Sequence, residues 1–270
     1  MINNIIFSKN RASQLRLLLY SIQKNAPGVF NLNVVYKYTD EQFKAGYELV
    51  KQEFGHICNF VEQTNNFKQD TLSLLDSEND FSCFFVDDDI IYKPVTSEDD
   101  LIKHIKDDED VFCMSLRLGE NVKIAYTMNT INVLHNQENL EDGMIKWDWS
   151  LHYLDFGYPL SLDGHIFRTK EILKLSKKIA FTNPNELEGN LQIFDNFPRN
   201  KMISYKHNVL VNTPNNIVND THPNRNGLTC AIGVKELNEK YLKGEVISLE
   251  SMNFEDIQGC HQELIFVFKK

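Results

Sequence analysis

Five short apolar runs, Ile2 to Phe7, Leu32 to Tyr38, Ile57 to Val61, Phe81 to Val86 and Val111 to Leu116, organise the first half of the chain, and helical signals stand between them. Leu15, Leu18, Leu19 and Ile22 recur at helical spacing after the first run, Phe43, Tyr47, Val50 and Phe54 after the second, and Leu72 and Leu75 after the third. The charge-rich stretch from Ser97 to Asp110 carries Leu101, Ile102 and Ile105 inside it and reads as a solvated helix. Strands alternating with helices need crossover connections, which put helices on both faces of a mostly parallel sheet. An α/β fold is therefore expected. Ligands of such sheets bind outside the carboxyl ends of the strands, so the residues just after Phe7, Tyr38, Val61 and Val86 are the first candidates for chemistry.

The second half is less regular. Gly119 to Leu162 has weak periodicity and reads as long loops with short strands. Thr169 to Ile179, Pro184 to Phe194 and Val234 to Lys243 look helical, the last ended by Gly244 as a C-cap. Asn212 to Gly227 is rich in Asn and Pro and reads as a loop, and Leu264 to Phe268 as a last strand. No repeat or linker divides the 270 residues, so one domain is expected, with a regular half at residues 1–118 and a less regular half at 119–270.

A net charge of −10 with scattered Lys and Arg argues against nonspecific nucleic-acid binding and against a polybasic membrane anchor. The five cysteines form no CxxC pair, and their odd, unclustered count points to a reducing compartment. The start of the chain lacks a charged signal region, and no apolar run is long enough to span a bilayer. A cytoplasmic location is the expectation.

The most specific feature is Phe84-Phe85-Val86-Asp87-Asp88-Asp89, a buried strand that ends in three carboxylates. Like charges repel and desolvation is expensive, and a divalent cation offsets both. Hard oxygen ligands suit Mg²⁺ or Mn²⁺. Asp87 and Asp89 point the same way if the strand continues, because side chains alternate. A plain acidic turn would look the same. A receiver domain would need an acidic pair after the first strand, where this chain has Ser8-Lys9-Asn10-Arg11.

A strand, Ser8-Lys9-Asn10-Arg11, a Leu-rich helix, and a second strand ending in Asp87-Asp88-Asp89 resemble the nucleotide-sugar domain of GT-A glycosyltransferases and their DxD motif. Tyr158 to Arg168 and Asn183 to Glu188 resemble the acceptor-side segments of a bacterial GT-A group. The resemblance implies a metal-dependent transferase that takes a nucleoside-diphosphate sugar, a UDP-sugar first among them, and passes the sugar to an acceptor hydroxyl, with residues 1–118 as the nucleotide-sugar-binding half and 119–270 as the acceptor-side half. It implies Mn²⁺ or Mg²⁺ on Asp87 and Asp89, bridging the donor diphosphate, with Asp88, Ser8 and Arg11 near the nucleotide. Lys68 and Asp40 are further nucleotide candidates, although Lys68 also suits solvent and Asp40 suits a helix cap.

An inverting transferase needs a carboxylate base. Asn183-Pro184 reads as an N-cap followed by a first helical residue, which makes Glu186 the N3 partner of a capping box. Glu188 has less structural excuse and is the first candidate, as the resemblance also implies; Asp163, beside Gly164, is the second and would otherwise bind the acceptor. Many GT-A enzymes add a C-terminal histidine to the metal, which points to His261, with His222 in reserve. Trp147 and Trp149, if extended, present both rings to one side as an acceptor platform or pack in the interior. An inactive GT-A-like module that holds a nucleotide or sugar is the alternative function. A nucleotidyltransferase or a dinucleotide dehydrogenase is disfavoured, because no Gly-rich loop or GxGxxG follows a strand.

Overall fold

The computed structural model describes residues 1–75, 78–194, 198–218 and 225–270. Strand β1 (Ile2–Lys9) shows why the chain layers as it does. Ile2 and Ile6 point into one core, and Ile5 and Phe7 point into another on the opposite face. Alternation therefore serves two cores, which is why these strands read as near-continuous apolar runs. β2 (Phe30–Lys37) repeats the pattern, with Val34 and Tyr36 in the first core and Val35 in the second. β4 (Phe81–Val86), which follows β3 (Cys58–Glu62), does the same with Cys83 and Phe85 against Phe84.

Helices α1 (Ala12–Asn25), α2 (Glu41–Phe54) and α4 (Glu98–Asp107) cover the first core; α3 (Phe67–Leu75), α5 (Thr169–Lys178) and α6 (Pro184–Leu191) cover the second. Leu237 of α7 (Val234–Leu242) belongs to a third, smaller cluster near the end of the chain. The apolar positions named from helical spacing in α1 and α2 are all buried.

The main sheet has the order β3, β2, β1, β4, His165–Arg168, β6 (Val111–Ser115), Lys201–Tyr205, Met144–Asp148, Glu138–Asn139. The first four run parallel. His165–Arg168 lies antiparallel between β4 and β6, and Lys201–Tyr205 returns to parallel beside β6. The expected α/β architecture, a large and mostly parallel sheet between helices, is the one observed. Two strands escaped the sequence reading because charged and polar residues interrupt their short apolar runs, as in His-Ile-Phe-Arg and Lys-Met-Ile-Ser-Tyr, while Met144–Asp148 is one of the short strands expected between Gly119 and Leu162. The last strand is shorter than expected: Phe268–Lys269 pairs with Val246–Ile247.

The tryptophans are not a platform. Trp147 lies in the second core and donates to the Phe156 carbonyl at 3.0 Å, and Trp149 in the same core donates to the Arg199 carbonyl at 3.1 Å. Their indole N–H groups are satisfied by loop backbone, and their faces by packing.

Among the described residues, no helix is long and apolar enough to cross a membrane. All five cysteines are unpaired.

Candidate active site

Three chain connections build the site. After β1 the backbone turns into α1 through Asn10, whose φ is 59°. Asn tolerates this left-handed region better than most residues, and here both ends of its amide are used: Nδ2 donates to Thr39 Oγ1 and Oδ1 accepts from the Thr39 amide, both at 3.0 Å. That turn delivers Arg11. After β4 the chain makes a tight turn at Asp87-Asp88 and enters β5 (Asp89–Ile91). β5 pairs with Leu210–Asn212, and His261 bridges to Asn212 on its other side. Asp89, Asn212 and His261 therefore stand in register across three neighbouring segments, although they are far apart in sequence. In the third connection, Asp163 precedes Gly164, whose φ is +73° and whose N–H donates to the Phe84 carbonyl.

A cavity of about 420 Å³ opens beside the carboxyl ends of β1 and β4. Ser8, Arg11, Asp87, Asp88, Asp163, Glu188 and His261 all line it, so both halves of the chain contribute. Its volume is in the range of small-molecule and cofactor sites. Asp40 and Lys68 are not among its lining residues. Asp40 Oδ1 caps α2, accepting from the Gln42 and Phe43 amides at 3.0 Å. Lys68 donates to the Ile179 carbonyl at 2.6 Å, with its ammonium 5.7 Å from the Phe181 ring centre. Both have sufficient structural roles elsewhere. His222 lies outside the described residues.

The acidic turn is neither a solvated loop nor a bare cluster. Arg11 is almost fully buried and donates one nitrogen, Nη1, to Asp87 Oδ1 at 3.0 Å and Asp88 Oδ2 at 2.9 Å. The Lys9 amide donates to Asp87 Oδ2. Burial pushes the Asp87 carboxyl up to about 6, with Arg11 opposing and Asp88 adding to the rise. The turn also breaks the period-two geometry on which Asp87 and Asp89 would share a face. Asp87 and Asp88 reach the cavity wall, while Asp89 lies beneath it, fully buried. Asp89 accepts from the Val86 amide through Oδ2, and its Oδ1 shares the Asn212 amide with Asp88 Oδ1, each at 3.1 Å. Burial and then the charge of Asp163 push the Asp89 carboxyl well above its ordinary range.

Asp163 and His261 meet on the opposite wall: Nε2 lies 3.1 Å from Oδ2. Two ligand atoms at about 2.1 Å from one ion and at a right angle to each other lie roughly 3 Å apart. The spacing therefore suits a shared cation. The donor chemistry fits as well, since oxygens of buried carboxylates with one imidazole match Mn²⁺ or Mg²⁺. Asp155, Cys260 and His261 also converge, with one ligand atom from each lying within 4.8 Å of the others. Arg117 brings positive charge to both groups, 3.6 Å from Asp155 Oδ1 and 3.1 Å from Asp163 Oδ2, so a cation at either would share its ligands with the guanidinium.

Glu188 is half-buried, and its Oε1 accepts from Ser161 Oγ and from the Leu162 amide, both at 3.0 Å. Burial, and then the negative charge of Asp163, raise its carboxyl above the usual range. Glu186 carries the cap instead. Asn183 Oδ1 accepts from the Glu186 amide, and Glu186 Oε2 accepts from the Thr182 amide and hydroxyl.

Arg117, Asn212 and Asn216 were missed in the sequence. Arg117 is 2% exposed and donates to Asp163 Oδ2 at 3.1 Å. Its signal was available, because it directly follows the fifth apolar run at a strand carboxyl end. Asn212 and Asn216 lie in a segment whose composition reads only as loop.

No protein-family model matches the chain. The chain is similar to the bifunctional glycosyltransferase pgtA of Dictyostelium discoideum, with 25% identity over 254 residues covering 82% of this chain and 32% of pgtA. It thus spans about a third of the length of that relative. Among solved structures it is similar to S. aureus TarS 1-349 in complex with UDP, at 15% identity, covering 78% of this chain and 59% of that one, with a TM-score of 0.46. It is also similar to the mannosyltransferase PcManGT from Pyrobaculum calidifontis in complex with GDP-Man and Mn²⁺, at 11% identity, 75% and 54% coverage and a TM-score of 0.44. The resemblance to glycosyltransferases read from the sequence thus meets a curated relative that is itself named a glycosyltransferase.

Proposed function

We propose that this chain is a metal-dependent glycosyltransferase of the GT-A type that moves a sugar from a nucleoside-diphosphate sugar, a UDP-sugar first among them, to an acceptor hydroxyl. The observation that carries the reading is a single cavity at the strand carboxyl ends, lined by Asp87, Asp88, Asp163, Glu188 and His261. Residues 1–118 hold the donor and residues 119–270 supply most of the acceptor side. Five unpaired thiols support a cytoplasmic setting.

Asp87, Asp88 and His261, which line the cavity, would hold Mn²⁺ or Mg²⁺, with Ser8 on the nucleotide; Asp89, expected from the sequence as a ligand, is buried beneath them and would hold the turn. When bound, the cation supplies Lewis-acid stabilisation of charge on the departing diphosphate. The rest is the work of side chains. Ser161 and the Leu162 amide fix Glu188 Oε1, which orients the carboxylate toward the cavity. Its raised proton affinity suits a general base that takes the acceptor hydroxyl proton. Asp163, held by Arg117 and His261, orients the acceptor beside it.

Calorimetric titration of UDP, with Mn²⁺ and then with EDTA, tests the reading. Binding that needs Mn²⁺, together with slow hydrolysis of a UDP-sugar, is the expected result. Tight UDP binding without hydrolysis of any UDP-sugar would favour the alternative, a nucleotide-binding module without turnover. Absence of UDP, GDP, CDP and TDP binding in either condition sinks both.

A further inference from the structure

Arg11 is more completely engaged than a phosphate ligand waiting for substrate. Its side chain is 8% exposed. Nη1 serves Asp87 and Asp88, Nε donates to Asn216 Oδ1 at 2.7 Å, and Nη2 donates to the Asn216 carbonyl at 2.6 Å. Asn216 is anchored in turn, donating from Nδ2 to Gln14 Oε1 at 3.0 Å. The guanidinium is thus fixed from the far side by a residue on the cavity rim, with its charge placed on the two carboxylates of the acidic turn.

A cation so placed has two opposed effects. It holds Asp87 and Asp88 in one geometry and compensates their mutual repulsion. It also covers the oxygens that a divalent ion would approach and repels that ion at short range. A nucleoside diphosphate reverses the second effect, because its phosphate oxygens offer the forked guanidinium an alternative partner of the same chemistry as a carboxylate.

We propose that Arg11 is a positioning residue that holds Asp87 and Asp88 and keeps a divalent cation weakly bound until a nucleoside diphosphate draws the guanidinium away. This rests on the cation site proposed above. Cation and nucleotide then bind with positive coupling, and the coupling is reciprocal. The prior ion pair also makes the acidic turn stable without metal.

The test is Mn²⁺ binding to the full chain, followed by electron paramagnetic resonance of the free ion, for wild type, Arg11→Met and Arg11→Lys. Without nucleotide, R11M is expected to bind Mn²⁺ at least tenfold more tightly than wild type, and R11K to behave like wild type. UDP is expected to raise the Mn²⁺ affinity of wild type by a larger factor than that of R11M. Equal or weaker Mn²⁺ binding by R11M overturns the role of Arg11; if wild type still binds Mn²⁺ with UDP, the cation site survives. No Mn²⁺ binding by any variant, with or without UDP, removes the cation site and this inference with it. Should thermal unfolding show that R11M does not fold, Arg11→Gln carries the same expectation, since it removes the charge and keeps a donor toward Asn216.

Discussion

His261 Nε2 lies 3.1 Å from Asp163 Oδ2, although 98 positions separate the two residues in the chain. Asn212 places the histidine. Its strand pairs with β5 on one side, its amide N–H donates to the Cys260 carbonyl, and its own carbonyl accepts from the Gln262 amide. The histidine is thereby set in register with Asp89. His261→Gln is expected to weaken Mn²⁺ binding in the presence of UDP by about tenfold or more, as for loss of one ligand. Thermal unfolding should change little, because Gln keeps an N–H donor for Asp163 and the ring lies outside the three apolar clusters. Unchanged Mn²⁺ affinity would remove His261 from the ligand set.

Glu188→Gln is expected to reduce hydrolysis of a UDP-sugar, or transfer from it, by about 100-fold or more while leaving UDP binding within about twofold. The base must be ionised to act. Burial and the Asp163 charge raise its proton affinity, so kcat/KM should fall on acidification along a limb that lies above the usual carboxylate range. The sign for stability is the opposite. A carboxyl whose folded pKa is raised contributes stability that is complete below its unfolded pKa and is lost as pH rises through the folded value. Glu188→Gln should therefore be at least as stable as wild type at pH 7, measured by urea unfolding.

Asn10 holds a left-handed turn with two side-chain hydrogen bonds to Thr39. Asn10→Ala loses those bonds and meets the backbone strain, for an expected loss of about 2–3 kcal/mol in urea unfolding. Asn10→Gly keeps the conformation and loses only the bonds, for about 1 kcal/mol. Equal losses for the two variants would mean that the backbone conformation contributes nothing.

Glu263 organises the cavity rim. Its carboxylate accepts from the amides of Leu228, Thr229 and Cys230 and from the Tyr126 hydroxyl, and Arg225 lies 4.5 Å from the Tyr126 ring centre. Burial works to raise this carboxyl, but the Tyr126 hydroxyl and the three amides outweigh it and bring it down from 4.5 to about 2. The stabilisation is present above pH 4.5 and is lost as pH falls toward 2. Glu263→Gln should speed hydrogen exchange at residues 228–230 at neutral pH. Exchange as slow as in wild type would mean that the loop holds itself.

The first half of the fold was legible because its apolar runs alternate with stretches of helical spacing and are bounded by polar residues. Ile2, Ile5 and Ile6 fall on the two buried faces of a parallel strand. The acidic strand end was legible for a related reason, since a Phe-Phe-Val run entering three aspartates is an electrostatic contradiction that needs a cation nearby. What the sequence left open is what supplies that cation. Arg11 is 76 positions from Asp87, and nothing local marks it as the partner. Asp40 and Lys68 failed in the converse way: both follow strands, as the search rule asks, yet a helix cap and a pair of backbone carbonyls occupy them. The two tryptophans illustrate the same limit. Extended spacing gives their facing, but whether that face meets solvent depends on Phe156, Arg199 and the strands beside them.

The acidic turn is held by backbone on both sides: Asp87 N donates to the Phe7 carbonyl, Thr213 N donates to the Asp88 carbonyl, and β5 is paired immediately beyond. A floor tied in this way cannot swing aside to let a bulky product leave. Opening then falls to other lining segments, such as the turn that carries Tyr126 and Thr127. The consequence is one of timing. Loop displacements of this kind occur on the microsecond-to-millisecond scale, so turnover would be limited there if chemistry is fast. Solvent viscosity would then slow the steady-state rate while leaving a single round of bond breaking untouched.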